Sequence, residues 1–218
     1  MKTAAKTNEN ITITKNGKTT AFVHPAYGPG TFKNVMSQID HASLLRPTTS
    51  QIVSLVYHSF QNQDVPKCKE VIKILKNEYL WTATENLWVP KEGVFVFDNV
   101  GGKMPFDKKS LERMLEKDDK RVRFVPFGFK TNEQSLRQFA KNPYVIAHVG
   151  EENADAIAEI AGKFYQPKVW GFESINSEFH GYTALAASWD DWRFHLAGFS
   201  ADEEKDGFTF GWHKGKAA

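Results

Sequence analysis

Apolar positions along the chain change period twice, dividing it into a β-rich start, a largely helical middle and a β-rich end. "ITITKNGKTTAFV" has β-rich arms on either side of Asn16-Gly17, a pair suited to the positive φ angles of a two-residue turn. It predicts a hairpin over residues 11 to 23. The prolines and glycines of "HPAYGPGTF" then break the pattern and read as a linker or long loop. "PTTSQIVSLVYHSF" places Thr48 three residues before Gln51, the spacing of a capping box, and repeats apolar residues at Ile52, Leu55, Val56 and Phe60. An amphipathic helix follows from that spacing. The next helix, after Asp64 and Pro66, carries Cys68, Val71, Ile72, Leu75 and Tyr79 on one face.

From Leu80 the period becomes that of strands. "LWTATENLWV" and "GVFVFDN" predict a strand pair joined through "PKEG", followed by a helix over 107 to 118 that buries Leu111, Met114 and Leu115. "VRFVPFGF" predicts a strand and turn. Helices are expected over 133 to 141 and over 151 to 165, the latter with a stripe of Ile157, Ile160, Ala161 and Phe164. Glu151 and Glu152 in its first turn suit the positive end of the helix dipole. After Pro167 the runs "KVWGFES", "GYTALAAS", "WRFHLAGF" and "GFTFGW" read as strands. Helices followed by a terminal cluster of antiparallel strands predict an α+β fold.

Composition excludes several classes. With 218 residues, 41% hydrophobic and 25% charged, the chain has the balance of a globular protein with room for a sizeable core. No apolar run approaches the roughly 20 residues that cross a bilayer, and "MKTAAKTNEN" lacks the apolar centre of a secretory signal. A protein kept in a cytoplasm, or packaged from there into a virion, is expected. The single cysteine, Cys68, forms no disulfide within the chain and reads as a small core residue. The net charge of +2 is too small to imply nucleic acid. Its distribution is uneven: between residues 188 and 206, Asp190, Asp191, Asp202, Glu203, Glu204 and Asp206 face only Arg193 and Lys205, a local net of −4.

No phosphate loop, dinucleotide fingerprint, zinc-protease helix or nucleophile elbow is present, so no cofactor or metal is expected. The segment "SWDDWRFHLAGFSADEEKDGFTFGW" is where chemistry concentrates. His180, Asp190, Asp191 and His195 are the set from which a metal-dependent hydrolase would be built. Nucleic-acid binding through the basic residues between 103 and 130 is a further alternative, although acids interleave with them. A binding surface fits better. In "RFHLAGF", Phe194 and Leu196 alternate with Arg193, His195 and Ala197, giving a strand one buried face and one exposed face, the latter joined by Trp192 and Phe199.

"RPTTSQIVSLVYHSF", "NLWVPKEGVFVFDN", "RFVPFGF", "NPYVIAHVGEENADAIAEIA", "TALAASWDDWRFHLAGF" and "GFTFGWHK" together resemble archaeal variable proteins of diversity-generating retroelements, from about residue 44 onward. The resemblance implies a C-type lectin-like fold whose C-terminal strands and loops hold a ligand. With the hairpin and linker read above as an arm over 1–30, the expected domain covers 31–218, with 168–218 as its ligand-display segment. Trp189, Arg193, Leu196, Gly207, Phe210 and Gly211 would be scaffold. Asp190, Asp191, Trp192, His195, Phe199, Ala201, Asp202 and Phe208 would be the ligand-binding positions, rewritten by the retroelement. The last strand departs from the Gly-Val-Arg or Gly-Phe-Arg ending of many members, reading Gly211-Trp212-His213-Lys214 instead. Trp189-Asp190-Asp191 approaches the Trp-Asn-Asp motif of calcium-dependent lectins, without their disulfides. The expected function is non-enzymatic recognition of a macromolecular ligand, a protein, with neither nucleic acid nor membrane as partner.

Overall fold

A hairpin is the first element of the computed structural model, which describes residues 9–15, 17–171, 175–187, 193–200 and 206–214. Strands β1 (Glu9–Lys15) and β2 (Lys18–His24) pair with Lys15 opposite Lys18, leaving the expected two-residue connection with Gly17 at φ +72°. The hairpin is built into the rest of the protein. Ile11 and Phe22 belong to the main core, so residues 9–30 do not stand apart as the accessory arm and linker expected from the sequence. The "linker" itself contains a strand, β3 (Tyr27–Gly30), that enters the main sheet.

Helix α1 (Phe32–His41) has Thr31 as its N-cap and buries Phe32, Val35, Met36 and Ile39. Helix α2 (Thr49–Gln61) begins with the predicted capping box: Thr48 accepts from the Gln51 amide while the Gln51 side chain accepts from the Thr48 amide. Helix α3 (Pro66–Asn77) buries Cys68 on the expected stripe, but Tyr79 belongs to the strand after it, because the helix ends at Asn77. Then come β4 (Tyr79–Val89), β5 (Gly93–Asp98), α4 (Lys108–Glu116), β6 (Val122–Pro126) and β7 (Asn132–Glu133). Leu111 of α4 is buried and Met114 half-buried, whereas Leu115, expected inside, is exposed: the helix buries a single narrow edge. Three helices follow, α5 (Leu136–Ala140), α6 (Pro143–Val149) and α7 (Glu151–Ala161), and four strands after them, β8 (Pro167–Trp170), β9 (Phe179–Ala187), β10 (Phe194–Ser200) and β11 (Gly207–Thr209), with β12 (Trp212–Lys214) last.

The main sheet has nine strands in the order β3-β11-β4-β9-β10-β8-β7, with β5 and β6 continuing from β4. β10 is antiparallel to β9 but parallel to β8, and β11 is parallel to β4, so the C-terminal cluster mixes both senses. "GFTFGW" is split at Phe210-Gly211. β11 lies in the main sheet, while β12 crosses to β2 and completes a second, three-stranded sheet. The crossing is tight at Gly211, where an added Cβ would sit 2.9 Å from Leu44 Cβ and 2.5 Å from Leu44 Cδ1, so that Leu44 would have to shift. Phe210, fully buried, anchors the crossing in the core.

Two buried polar networks fasten β4 and β9 to their surroundings. In one, Tyr144 Oη donates to Asn86 Oδ1 at 3.3 Å, Asn86 Nδ2 donates to Thr183 Oγ1 at 2.8 Å, and His148 closes the chain through Thr183 and the Tyr144 carbonyl. Burial pushes the Tyr144 hydroxyl well above its ordinary range. It lowers His148 to about 3, the bond to the Tyr144 carbonyl opposing and nearby Arg123 reinforcing the shift. In the other, a bulge on β4 between Thr82 and Glu85 turns the Glu85 carboxylate toward Asn99 and His180. Asn99 Nδ2 donates to Glu85 Oε1 at 2.8 Å and His180 Nε2 donates to Oε2 at 2.5 Å. The bulge's own backbone is satisfied, since the Ala83 amide bonds to Pro47 and the Ala83 carbonyl to Asn99.

Both networks give measurable consequences. His148 binds its proton less readily folded than unfolded, so its contribution to stability is present above the unfolded value of 6.5 and is lost as pH falls toward about 3. Chemical denaturation should therefore show a loss of about 3 kcal/mol between pH 7 and pH 4 that is absent from a His148→Gln variant. Equal slopes in both proteins would place His148 outside the core. Glu85→Ala, which strands the Asn99 amide and the His180 ring, should cost about 2–4 kcal/mol in urea unfolding. A cost under about 0.5 kcal/mol would show the pair to be superficial.

Candidate functional site

The alternation read along "RFHLAGF" is present in β10, and it separates two buried faces. Phe194 and Leu196 enter the main core, together with Leu80, Leu185 and Val169 of the neighbouring strands. Ala197 and Phe199 turn the other way, into a smaller cluster formed with Trp81, Tyr182 and Ala184 and covered by Phe32, Val35 and Met36 of α1. His195 and Phe199, expected to be exposed, are only 7% and 8% accessible. The face assignment is correct; the exposure is not, because α1 and neighbouring aromatic rings cover much of that face.

Strand register then builds a trough. Trp170 of β8 pairs with Ala197 of β10, Ala197 with Ala184 of β9, and Ala184 with Trp81 of β4. In the next row Lys168 pairs with His195 and His195 with Ala186. Alanines of the two central strands thus lie between large side chains, and the sheet face is hollow where the alanines are. The outer strands, β8 and β4, are three strand spacings, about 14 Å, apart. The resulting cavity of about 620 Å³ has Ala186, Ala187 and Ala197 beneath it, Trp170 and His195 on one side, and Tyr79 and Phe199 on the other. Its volume lies within the roughly 300–1,000 Å³ of ordinary ligand sites.

The Tyr79 side is held by ring contacts. Phe199 meets Tyr79 edge-on at 5.0 Å and Trp81 at 5.4 Å, and Trp81 Nε1 donates to the Gly30 carbonyl at 3.2 Å. Phe32 stacks on Tyr182 at 3.8 Å beneath this cluster. The Trp170 side is more open. Trp170 is half exposed, with Lys168 Nζ 4.6 Å from its ring centroid, and exposed Tyr165 lies 5.7 Å from the Arg193 guanidinium, which pairs with Glu133 at 2.9 Å. Glu78 and Asp206 complete the rim beside Tyr79.

Of the expected ligand-binding positions, His195 and Phe199 reach the trough. Phe208 does not; it is half-buried against the main core. Asp190, Asp191, Trp192, Ala201 and Asp202 lie outside the described residues, as does Trp189 of the expected scaffold. Sequence reading missed Tyr79, Glu78, Trp170 and Asp206 as lining residues, since they come from three strand ends that only the sheet brings together. Lys168 and Trp170, alternating with buried Pro167 and Val169, carried the one local signal.

The hydrolase arrangement does not assemble from its two histidines. His195 is opposite Ala186, six residues along β9 from His180, or about 20 Å. His180 is engaged with Glu85, and its ring stacks on Phe106 at 4.8 Å. Among the described residues no group of three or more His, Cys, Asp or Glu side chains is placed to hold a metal ion. Among the described residues no helix is long and apolar enough to cross a membrane. In the basic stretch, Lys108, Lys120, Arg121 and Arg123 each pair with a carboxylate.

No protein-family model matches the chain, and no curated protein matches it. The chain is similar to a solved structure described as "Accommodation of massive sequence variation in Nanoarchaeota by the C-type lectin fold", with a TM-score of 0.58, 8% sequence identity, and coverage of 95% of this chain and 99% of that one. At that identity the likeness concerns architecture, and it establishes that this α+β chain has the C-type lectin fold.

Proposed function

We propose that the protein is a non-enzymatic recognition module that binds a partner protein through the alanine-floored trough, with the connector residues 188–192 and 201–205 as further display positions. The observation that carries this reading is the separation of roles within β10: one face holds the main core, and the other supplies His195, Ala197 and Phe199 to a cavity open to solvent. Ligand contacts on such a face can change with little cost to the scaffold behind it. Ala187 and Asp206, both lining residues, are the points from which connectors 188–192 and 201–205 depart. Those connectors contain Asp190, Asp191, Trp192, Ala201 and Asp202, the positions assigned to display together with His195 and Phe199.

The solved structure of the same fold is described as accommodating massive sequence variation. In this chain, variation of that kind would fall on the connectors and on the trough-facing residues of β10, while Leu196, Phe210 and Gly211 stay fixed by burial and close approach. A reverse-transcriptase gene and a near-copy of the 3′ coding region in adjoining DNA would be the genetic counterpart of this arrangement. The paired bases of the 108–123 stretch weaken the nucleic-acid alternative, because ion pairs reduce the charge available to phosphates.

Peptides selected from a random library on the immobilised protein should bind the trough. Trp170→Ala should weaken the selected peptides about tenfold or more, since aromatic anchors carry a large share of interface energy. Its stability should stay within about 0.5 kcal/mol, as for partly exposed sites generally. Peptides whose affinity ignored Trp170→Ala would contradict the assignment of the trough as the binding site.

A further inference from the structure

We infer that the trough takes a lysine or arginine side chain of the partner, with its aliphatic stem over the alanines and its cationic head between Tyr79, Glu78 and Asp206. The inference rests on the ligand-binding reading above and specifies the chemistry of that site. Three features of the molecule lead to it.

The first is the placement of the two acids. Gly207 pairs in parallel with Tyr79, and Phe208 with Leu80, so the register continued one residue back sets Asp206 beside Glu78. Both residues are exposed and line the cavity at the ends of their strands, and neither joins an ion pair among the described residues. Two adjacent carboxylates repel one another, and a cation between them relieves that repulsion while gaining two charge-assisted hydrogen bonds.

The second feature is the aromatic wall. Tyr79 and Phe199 are fixed by their mutual contact and by Trp81, and a cation near such rings is attracted by their quadrupoles, more so when partly desolvated. The protein uses such a contact nearby: its own Lys168 ammonium lies 4.6 Å from the ring centroid of Trp170, a lining residue. His195 is the basic residue among the described lining residues, and Lys168, its register partner on β8, stands beyond it on the Trp170 side. Lys168 is about 14 Å of sheet away from Tyr79, beyond the roughly 8 Å screening length at physiological salt. The apolar floor of Ala186 and Ala197 between the two sides suits a long methylene stem better than a short polar side chain.

The third is charge complementarity over the wider segment. The sequence segments joined to the lining residues Ala187 and Asp206, 188–192 and 201–205, contain Asp190, Asp191, Asp202, Glu203 and Glu204, with Lys205 as their one base. A basic partner segment is drawn to such a region and an acidic one is turned away.

The test uses the full chain and four acetylated, amidated dodecapeptides of Gly and Ser that differ only in three central residues, which are Lys, Arg, norleucine or Glu. Binding is followed by the chemical shift of the Trp170 indole and by calorimetry. The Lys and Arg peptides should bind with Kd below about 1 mM, the norleucine peptide about tenfold more weakly, and the Glu peptide not measurably. The Glu78→Gln/Asp206→Asn double variant, whose changes lie at exposed positions, should reduce the Lys and norleucine affinities to the same level. Equal binding of Lys and norleucine to the native chain, or a Lys preference that survives the double variant, would overturn the cation assignment while leaving the trough as a ligand site. Failure of both cationic peptides to bind would also overturn it. Binding that persisted undiminished in Trp170→Ala would instead remove the trough reading itself.

Discussion

Everything described at the trough depends on the register between β9 and β10. Because side chains alternate along a strand, a slip of one residue would turn Phe194 and Leu196 toward the trough and bury His195 and Ala197 in the main core. The register is held from both sides. β4 pairs along β9 through a bulge, β8 pairs along β10, and the core clusters on the two faces have different contents. The hollow exists because Ala184, Ala186 and Ala197 fall in adjacent rows, an arrangement that no single strand specifies.

The two buried polar networks act on the same strands. The Tyr144–Asn86–Thr183–His148 chain ties β4 and β9 to α6, and the Glu85–Asn99–His180 group ties the β4 bulge to the turn after β5. Such groups are expensive to bury unless each finds its partner, so they favour one arrangement over near alternatives. The split of the last strand adds a third constraint. Crossing from the main sheet to β2 at Phe210-Gly211 brings the N-terminal hairpin into the same core as the trough's scaffold.

Local chemistry was legible in the sequence and spatial assembly was not. Asn16-Gly17, the Thr48/Gln51 capping box and the alternation of β10 each have a mechanism confined to a few neighbouring residues, and each appears as read. Helix α1 was missed although Thr31 precedes apolar residues at Phe32, Val35, Met36 and Ile39; the prolines and glycines just before it dominated the reading. That omission had consequences for the site. Helix α1 covers Ala197 and Phe199 on the second face of β10, a contact that the pattern of β10 alone does not contain. Tyr79, Glu78, Trp170 and Asp206 converge from strands remote in sequence, and a linear pattern does not contain that information.

The most direct measurement is the set of methyl and aromatic nuclear Overhauser contacts of Ala197 in the folded protein. The account predicts contacts from the Ala197 methyl to the Ala184 methyl and to the Trp170 indole, which are its neighbours in one row of the sheet. It also predicts that Leu196 contacts Leu185 and Val169 on the opposite face. An Ala197 methyl in contact with the side chains of Leu185 and Val169 would invert β10, and the trough would not exist.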